Sequence, residues 1–580
     1  HSFRMMLPGG AVWGSRFGAQ ADVRFVTEKE SYDLGTHQLP CPDVAKRSLV
    51  VGVSAPNEGA SPGDLEIARS LSLQRFDPES LSAIARVFSA LPSVVPAQEL
   101  PSYALGYCSY DVLLLAGDGF SLLRQRQLRA LRRWVEAGGS VCFVPGGGLR
   151  AYHVLCLNEM TGEAEGPFGL TGEGRLQPGS GVPEGGVGMF RCGLGRVVVA
   201  AALPESLDSS EWRRAAAFLW KIRSNQLSEV VGRGKWRTDL QRTASSRPRY
   251  GARLYDESSE GALRFHVCPI DSASSLYDSL KPETVRVVPF WAIVLVLFLF
   301  VLAVGPVDYC LLGALKCRRF TWILFPVLCV GFAAFTVGLS ESYMGSADHR
   351  GACVFVDVGK GGRVLRWSRY ELLFIGEEKE VLTELKDSLF APLDEAGLMG
   401  RATGRASPPT YWGRFPAFYS VSRWVGQWTP TFGRAFSLEP FESSVGLDWD
   451  AVEPSDFQSY GSRRQVARKI LAGRPFEGDI YLVRGVRIET LHTGTRGAMG
   501  GGRRDWHHER GLMDDFLLET SARPQLGLFS VVSQISPNGA DNFEDLSVLD
   551  PTDSAQWLLL AVTGAGDDYV VYRRLYCEGL

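Results

Sequence analysis

The sequence predicts an α/β parallel-sheet domain, a two-helix transmembrane hairpin and a β-rich C-terminal domain in one chain. Three observations lead there. Between Leu49 and Ile222, apolar runs of strand length alternate with amphipathic helical stretches, the pattern of a parallel sheet covered on both faces. Two uncharged apolar runs, Val287 to Gly305 and Phe320 to Leu339, stand mid-chain with 14 residues between them. After Tyr343 the helical periodicity gives way to short strands joined by Gly, Pro and Arg. The chain then divides into a partial β segment (1–48), the α/β domain (49–223), a linker with some β structure (224–286), the hairpin (287–340) and the β-rich domain (341–580).

In the α/β domain, Leu49 to Val53, Asp111 to Leu115 and Val141 to Val144 read as strands, the last two continuous apolar runs suited to the centre of a parallel sheet. Between those two lies a helix that puts Leu128, Leu131 and Val135 on one face beside Trp134. Arg126, Arg129 and Arg133 form its solvated face, and Gly138-Gly139 supplies the stop. Arg196 to Leu203 is a further strand, followed by a helix from Glu211 to Ile222 that buries Trp212, Ala215, Ala216, Leu219 and Ile222. Before Leu49, Asp22 to Val26 reads as the tail of a β-sandwich. In the linker, Ala262 to Val267 reads as a strand.

The two mid-chain runs are long enough as helices, roughly 28 to 30 Å, to cross a hydrocarbon core. Their partner is a lipid bilayer. Lys316, Arg318 and Arg319 concentrate positive charge in the connecting loop, which favours a cytoplasmic loop with both soluble halves outside; the alternative is the opposite orientation, which needs no export signal but puts this cluster outside. An external N-terminal half needs an export signal, expected upstream of His1. Asp308 sits at the membrane interface in an end-of-helix turn, and Trp291 and Trp322 sit near the span ends as interfacial aromatics do.

In the β-rich domain, strands are read at Ala352 to Val358, Arg363 to Trp367, Tyr370 to Ile375, Asp479 to Val486, Trp557 to Val562 and Tyr569 to Arg573. Trp412, Trp424, Trp428 and Trp449 recur between them. Spaced tryptophans in a β-domain fill its core, with an exposed sugar- or peptide-stacking face as the alternative. Trp506-His507-His508-Glu509 is the densest set of metal-capable groups. Adjacent histidines point apart in a strand and no H-E-x-x-H occurs, so they read as surface residues, as do Asp514-Asp515 and Asp567-Asp568.

Bulk composition narrows the function classes. The 580 residues carry a net charge of −3 and 45% hydrophobic residues, which supports several cores and excludes a basic field for nucleic acid. The 11 cysteines include no C-x-x-C pair, so they read as buried hydrophobes rather than metal ligands, with one or two disulfides left open. No cofactor and no metal is implied.

The order Tyr110 to Leu115, then the helix Leu128 to Val135, then Gly138-Gly139 and Val141 to Gly148, resembles the class I glutamine-amidotransferase-like fold over about 170 residues. That resemblance implies a cysteine nucleophile in a tight turn after the strand and a His-Pro-Glu further on. Here the turn is Pro145-Gly146-Gly147-Gly148, Cys142 precedes it inside the strand, and Leu203-Pro204-Glu205 stands at the second place. Gly147, Leu203 and Glu205 are thus degenerate triad positions, and the scaffold reads as catalytically dead. Gly146, Gly147 and Gly148 are also the candidate anion or ligand turn, with a plain loop as the simpler reading. His153, among Tyr152, Val154 and Leu155, reads as packed rather than as a base.

The passage Gly305-Pro306-Val307-Asp308-Tyr309, then Arg318 to Ile323 and Phe325-Pro326, with the closing Val571 to Tyr576, is similar to bacterial double-spanning membrane proteins that carry an outer glutaminase-like domain. This resemblance implies an architecture and names no substrate; the missing Cys and His favour a non-catalytic envelope protein that binds a protein or glycan. The alternatives are an accessory subunit of a transport or export assembly, and a hydrolase with an unfamiliar site around Glu205, His153 or His507-His508.

Overall fold

The computed structural model describes residues 19–26, 31–39, 48–56, 59–74, 87–162, 167–178, 186–200, 209–221, 290–307, 321–344, 347–393, 409–441, 445–457, 463–484, 487–492, 555–565 and 568–577, with a few isolated positions between them. Near the start, β1 (Ala19–Val26) and β2 (Ser31–Leu39) form an antiparallel ribbon. The strand expected at Ala262 to Val267 lies outside the described residues.

The α/β lobe follows. Its elements are β3 (Ser48–Ala55), α1 (Pro62–Ser70), β4 (Leu73–Gln74), β5 (Val87–Pro96), β6 (Val112–Gly117), α2 (Gln125–Glu136), β7 (Ser140–Pro145) and α3 (Ala151–Thr161). A small ribbon of β8 (Phe168–Leu170) and β9 (Leu176–Pro178) then leads into β10 (Val187–Cys192), β11 (Gly195–Ala200) and α4 (Ser210–Leu219). Seven strands form one sheet in the order β10-β11-β7-β6-β3-β5-β4. The five central strands are mutually parallel, and β10 and β4 close the edges antiparallel.

Strand alternation assigns the two faces. Leu113, Leu115, Val141 and Phe143 join a core with α2 and α3, whereas Val112, Leu114, Cys142 and Val144 join a core with α1 and α4. Local chemistry fixes the helix starts. Ser61 caps α1 by accepting from the Asp64 amide while Asp64 accepts from the Ser61 amide, a closed capping box ahead of Pro62. Ser209 caps α4 through the Trp212 amide.

Next come α5 (Phe290–Leu302), continued by a π-helical turn to Val307, and α6 (Thr321–Met344). Within α6 the stretch Trp322–Leu339 is the one described helix long and apolar enough to cross a membrane, and protein buries none of it. The described part of the first apolar run is α-helical over Phe290–Leu302 only, with 287–289 outside the described residues. Pro306 has no N–H to continue the ladder, and the helix loosens into the π turn before it. The two helices touch, with the Phe300 and Phe332 rings edge to face at 5.2 Å.

The β-rich lobe holds β12 (His349–Val358), β13 (Val364–Phe374), β14 (Lys379–Lys386), β15 (Leu389–Leu393), β16 (Thr410–Arg414), β17 (Phe418–Val425) and β18 (Thr431–Ser437). After α7 (Arg463–Leu471) come β19 (Asp479–Arg484), β20 (Arg487–His492), β21 (Gln556–Ala565) and β22 (Asp568–Cys577). Eight strands order as β15-β18-β13-β12-β22-β21-β19-β20, and β14-β17-β16 form a separate three-stranded sheet. All pairs are antiparallel except β12 with β22. The two strands expected at Arg363 to Trp367 and Tyr370 to Ile375 are one strand, β13. Ser368 and Arg369, which interrupt the apolar run, remain in register with both neighbours.

The lobes before and after the apolar helices are docked to each other. Phe436 and Leu438 join the core built by α2 and α3, and Leu389 packs against it. Arg133 donates to the Leu438 carbonyl at 3.0 Å and to that of Val364 at 3.3 Å, Arg363 pairs with Glu136, and Arg191 donates to the Cys577 sulfur at 3.2 Å. Arg126 and Arg129 are exposed as expected, but Arg133 belongs to the inter-lobe contact rather than to a solvated face.

Candidate functional site

The glycine turn sits at the carboxyl ends of β6 and β7. The Gly146 amide donates to the Gly117 carbonyl at 2.9 Å, which ties the two strand ends together. A Cβ on Gly146 would stand 3.0 Å from the Gly117 carbonyl carbon and 3.2 Å from Asp118 Oδ1, so a side chain there would force these neighbours to give way. Gly148 takes the left-handed conformation, φ +74°, and the Leu149 amide closes onto the Gly174 carbonyl at 2.8 Å. A Cβ on Gly147 would meet nothing within 4 Å. The turn has room for a nucleophile's side chain at Gly147 and carries none. The Asp118 carboxylate beside it opposes a second negative charge, which favours the plain-loop reading over an anion site.

His153 is fully buried on α3 and wedged against Phe120 and Tyr152. Its Nδ1 accepts from the Arg150 amide at 3.0 Å, so Nδ1 is unprotonated. Nε2 therefore carries the proton and donates it to the Leu123 carbonyl at 3.1 Å. Burial holds its pKa below the ordinary value, despite the opposing carbonyl contact. Both nitrogens are committed to backbone, and the ring serves as the internal cap of α3. Cys142 is fully buried inside β7, where burial pushes its thiol up to about 12, the range of an unreactive sulfhydryl. None of the seven described cysteines is disulfide-bonded, and Cys108, Cys156, Cys192 and Cys353 are buried as well.

Leu203, Glu205, Asp308, Lys316, Arg318, Arg319, the His507-His508 pair and Asp514-Asp515 lie outside the described residues. Trp322 is described at the start of α6 and is 74% exposed, as a ring at a membrane boundary would be. Among the described residues no three His, Cys, Asp or Glu side chains converge as a metal cluster.

The β-rich lobe contains a polar group that the sequence reading missed. Asp357 on β12 is buried between Arg366 on β13 and Arg573 on β22, the former at 2.7 Å and the latter at 2.6 and 2.7 Å. Burial alone would raise the carboxyl pKa, but the two guanidiniums outweigh it and hold it below the usual carboxylate range. Strand register brings these residues together, with Asp357 opposite Arg366 in one ladder and opposite Arg573 in the other.

The tryptophans divide, which corrects the expectation of a shared core role. Trp449 is in the core under α7, with its carbonyl accepting from the Tyr576 hydroxyl at 2.7 Å. Trp412 and Trp424 are each 54% exposed and share the outer face of the three-stranded sheet with Phe418 and Leu382. The inner face of that sheet is packed, through Tyr419 and Val421, with Arg423 buried beside them against Phe390 and the Phe432 carbonyl. On the outer face, Trp424 stands opposite Glu380, and Trp412 stands in one cross-strand row with Ser420 and Glu384. Trp424 Nε1 donates to Glu378 at 2.6 Å, and Ser422 donates to Glu380.

No known family, curated protein or solved structure matches this chain.

Proposed function

We propose that this chain is a non-catalytic binding protein of a bacterial cell envelope, anchored by a two-helix membrane hairpin, with an amidotransferase-like lobe retained as scaffold. One observation carries the reading. The lobe before the apolar helices and the lobe after them touch directly, through Arg133 with Leu438, Arg363 with Glu136 and Arg191 with Cys577. If α6 crosses a bilayer, contact between the lobes requires an even number of crossings between them. A single span would leave the lobes on opposite sides. The apolar α5, in ring contact with α6, supplies the second crossing.

Further support comes from the would-be catalytic turn. It presents Gly147 where a nucleophile would stand, Cys142 is sealed in the sheet, and both nitrogens of His153 are spent on backbone. Acyl transfer needs an exposed nucleophile and a free base, and these groups offer neither. The lobes then act as one rigid body that holds a protein or glycan partner. Membranes from bacteria expressing the chain test the anchor. The chain should resist an alkaline carbonate wash and be released by detergent, and release by carbonate alone would remove the reading.

A further inference from the structure

We infer that the outer face of the three-stranded sheet binds a β-linked, ribbon-like polysaccharide, a ligand class that makes the proposed binding role specific and rests on that reading. The argument starts from register. Trp424 pairs with Glu380, and four residues back along β17 the row Trp412, Ser420, Glu384 repeats the combination of one ring and one carboxylate. Four residues of extended strand separate the rows by about 13 Å. A ligand that uses both rows must repeat its own chemistry along its length, as a glycan polymer does.

Each row offers what a sugar ring presents. An exposed indole gives an apolar surface for the C–H face of a pyranose, and a carboxylate, directly beside Trp424 in one row and one strand beyond Ser420 from Trp412 in the other, accepts from the hydroxyls at the ring's edge. The surface is also held in place. The Glu378 carboxylate fixes the Trp424 indole, and the packed inner face fixes the sheet beneath it, so little side-chain freedom is lost on binding. Exposed large apolar groups gathered on one face mark an interaction site, and scattered single ones do not.

Charge separates this ligand from two others. Glu380 and Glu384 on the face are balanced by Lys386 and Arg414 at the Phe418 row, so the face has no cationic excess. A nucleic acid or an anionic lipid surface would require one. A neutral polyol does not.

The full chain in lipid nanodiscs, titrated with chitohexaose and with cellohexaose by calorimetry, tests the inference. At least one of these should bind, and W412A and W424A should each weaken binding tenfold or more with unchanged circular dichroism. L155A, at an exposed position on α3 in the other lobe, should bind as the unaltered chain does. Absence of binding by both oligosaccharides, or binding that survives the double variant W412A/W424A, overturns the inference. A second preparation in brominated lipid reads the competing occupant: fluorescence lost on bromination in the unaltered chain but not in W412A/W424A would assign the face to the bilayer and also overturn it. The carbonate wash reports on the anchor alone, so failure there is distinguishable from failure here.

Discussion

Asp357 and Arg573 are 216 residues apart in the chain and share two hydrogen bonds, at 2.6 and 2.7 Å, across the one parallel pair among the described strands of the β-rich sheet. β12 follows α6 and β22 ends the described chain, so this pair fastens the last strand to the first in the middle of the sheet. Removing one partner of a buried ion pair strands the other charge. Asp357→Ala should therefore destabilise the lobe by about 3–5 kcal/mol, read by thermal or urea unfolding of the detergent-solubilised chain. A loss within experimental error would mean that the guanidiniums reach water.

The same carboxylate sets a pH dependence. Its folded pKa is depressed, so the stability it contributes is complete above the unfolded value of about 3.9 and is lost as pH falls through the lower folded value. Unfolding midpoints should fall below that range in the parent chain more steeply than in Asp357→Ala. Parallel curves for the two proteins would contradict this.

His153 should remain neutral at pH 6.5, with the proton on Nε2, because burial depresses its pKa and Nδ1 accepts a backbone hydrogen bond. Two-bond nitrogen–proton NMR correlations read both the tautomer and the charge. Since its folded pKa is depressed, the contribution of His153 to stability is lost as pH falls below about 6.5. A ring that titrates at or above that value would reopen the case for a general base.

Thiol labelling distinguishes scaffold from enzyme. Partly exposed Cys577 should react with a maleimide under native conditions, whereas Cys142, with its pKa near 12, should label only on unfolding. Fast native labelling of Cys142 would place it at an accessible site.

The inter-lobe contact can be weighed by a double-mutant cycle on Arg363 and Glu136. The Glu136 carboxylate is buried while Arg363 is half exposed, so a coupling of about 0.5–2 kcal/mol is expected in lobe unfolding. Additive effects would make the contact energetically idle.

Much of the α/β lobe was legible because its central strands are buried on both faces and read as unbroken apolar runs. β6 and β7 are examples. β5 escaped notice, since Ser89, Pro92 and Ser93 break its apolar text although it pairs with β3 along its length. The merging of two expected strands into β13 has a related cause: Ser368 and Arg369 break the apolar text yet stay paired with β12 and β18, neighbours that local sequence does not reveal. Trp412 and Trp424 lie on two strands that the sequence did not reveal, and they share a face only through the register between those strands, which no local pattern discloses. Arg133 looked solvated for the same reason, because its acceptors, Val364 and Leu438, lie more than 230 residues away in the chain.

The most direct test of the central claim, that the lobes stand together on one side of a membrane, is protease treatment of intact spheroplasts carrying tags in each lobe. Loss of both tags without lysis is the predicted result. Loss of one tag alone, or survival of both until lysis, would contradict the outward-facing hairpin and the binding role built on it.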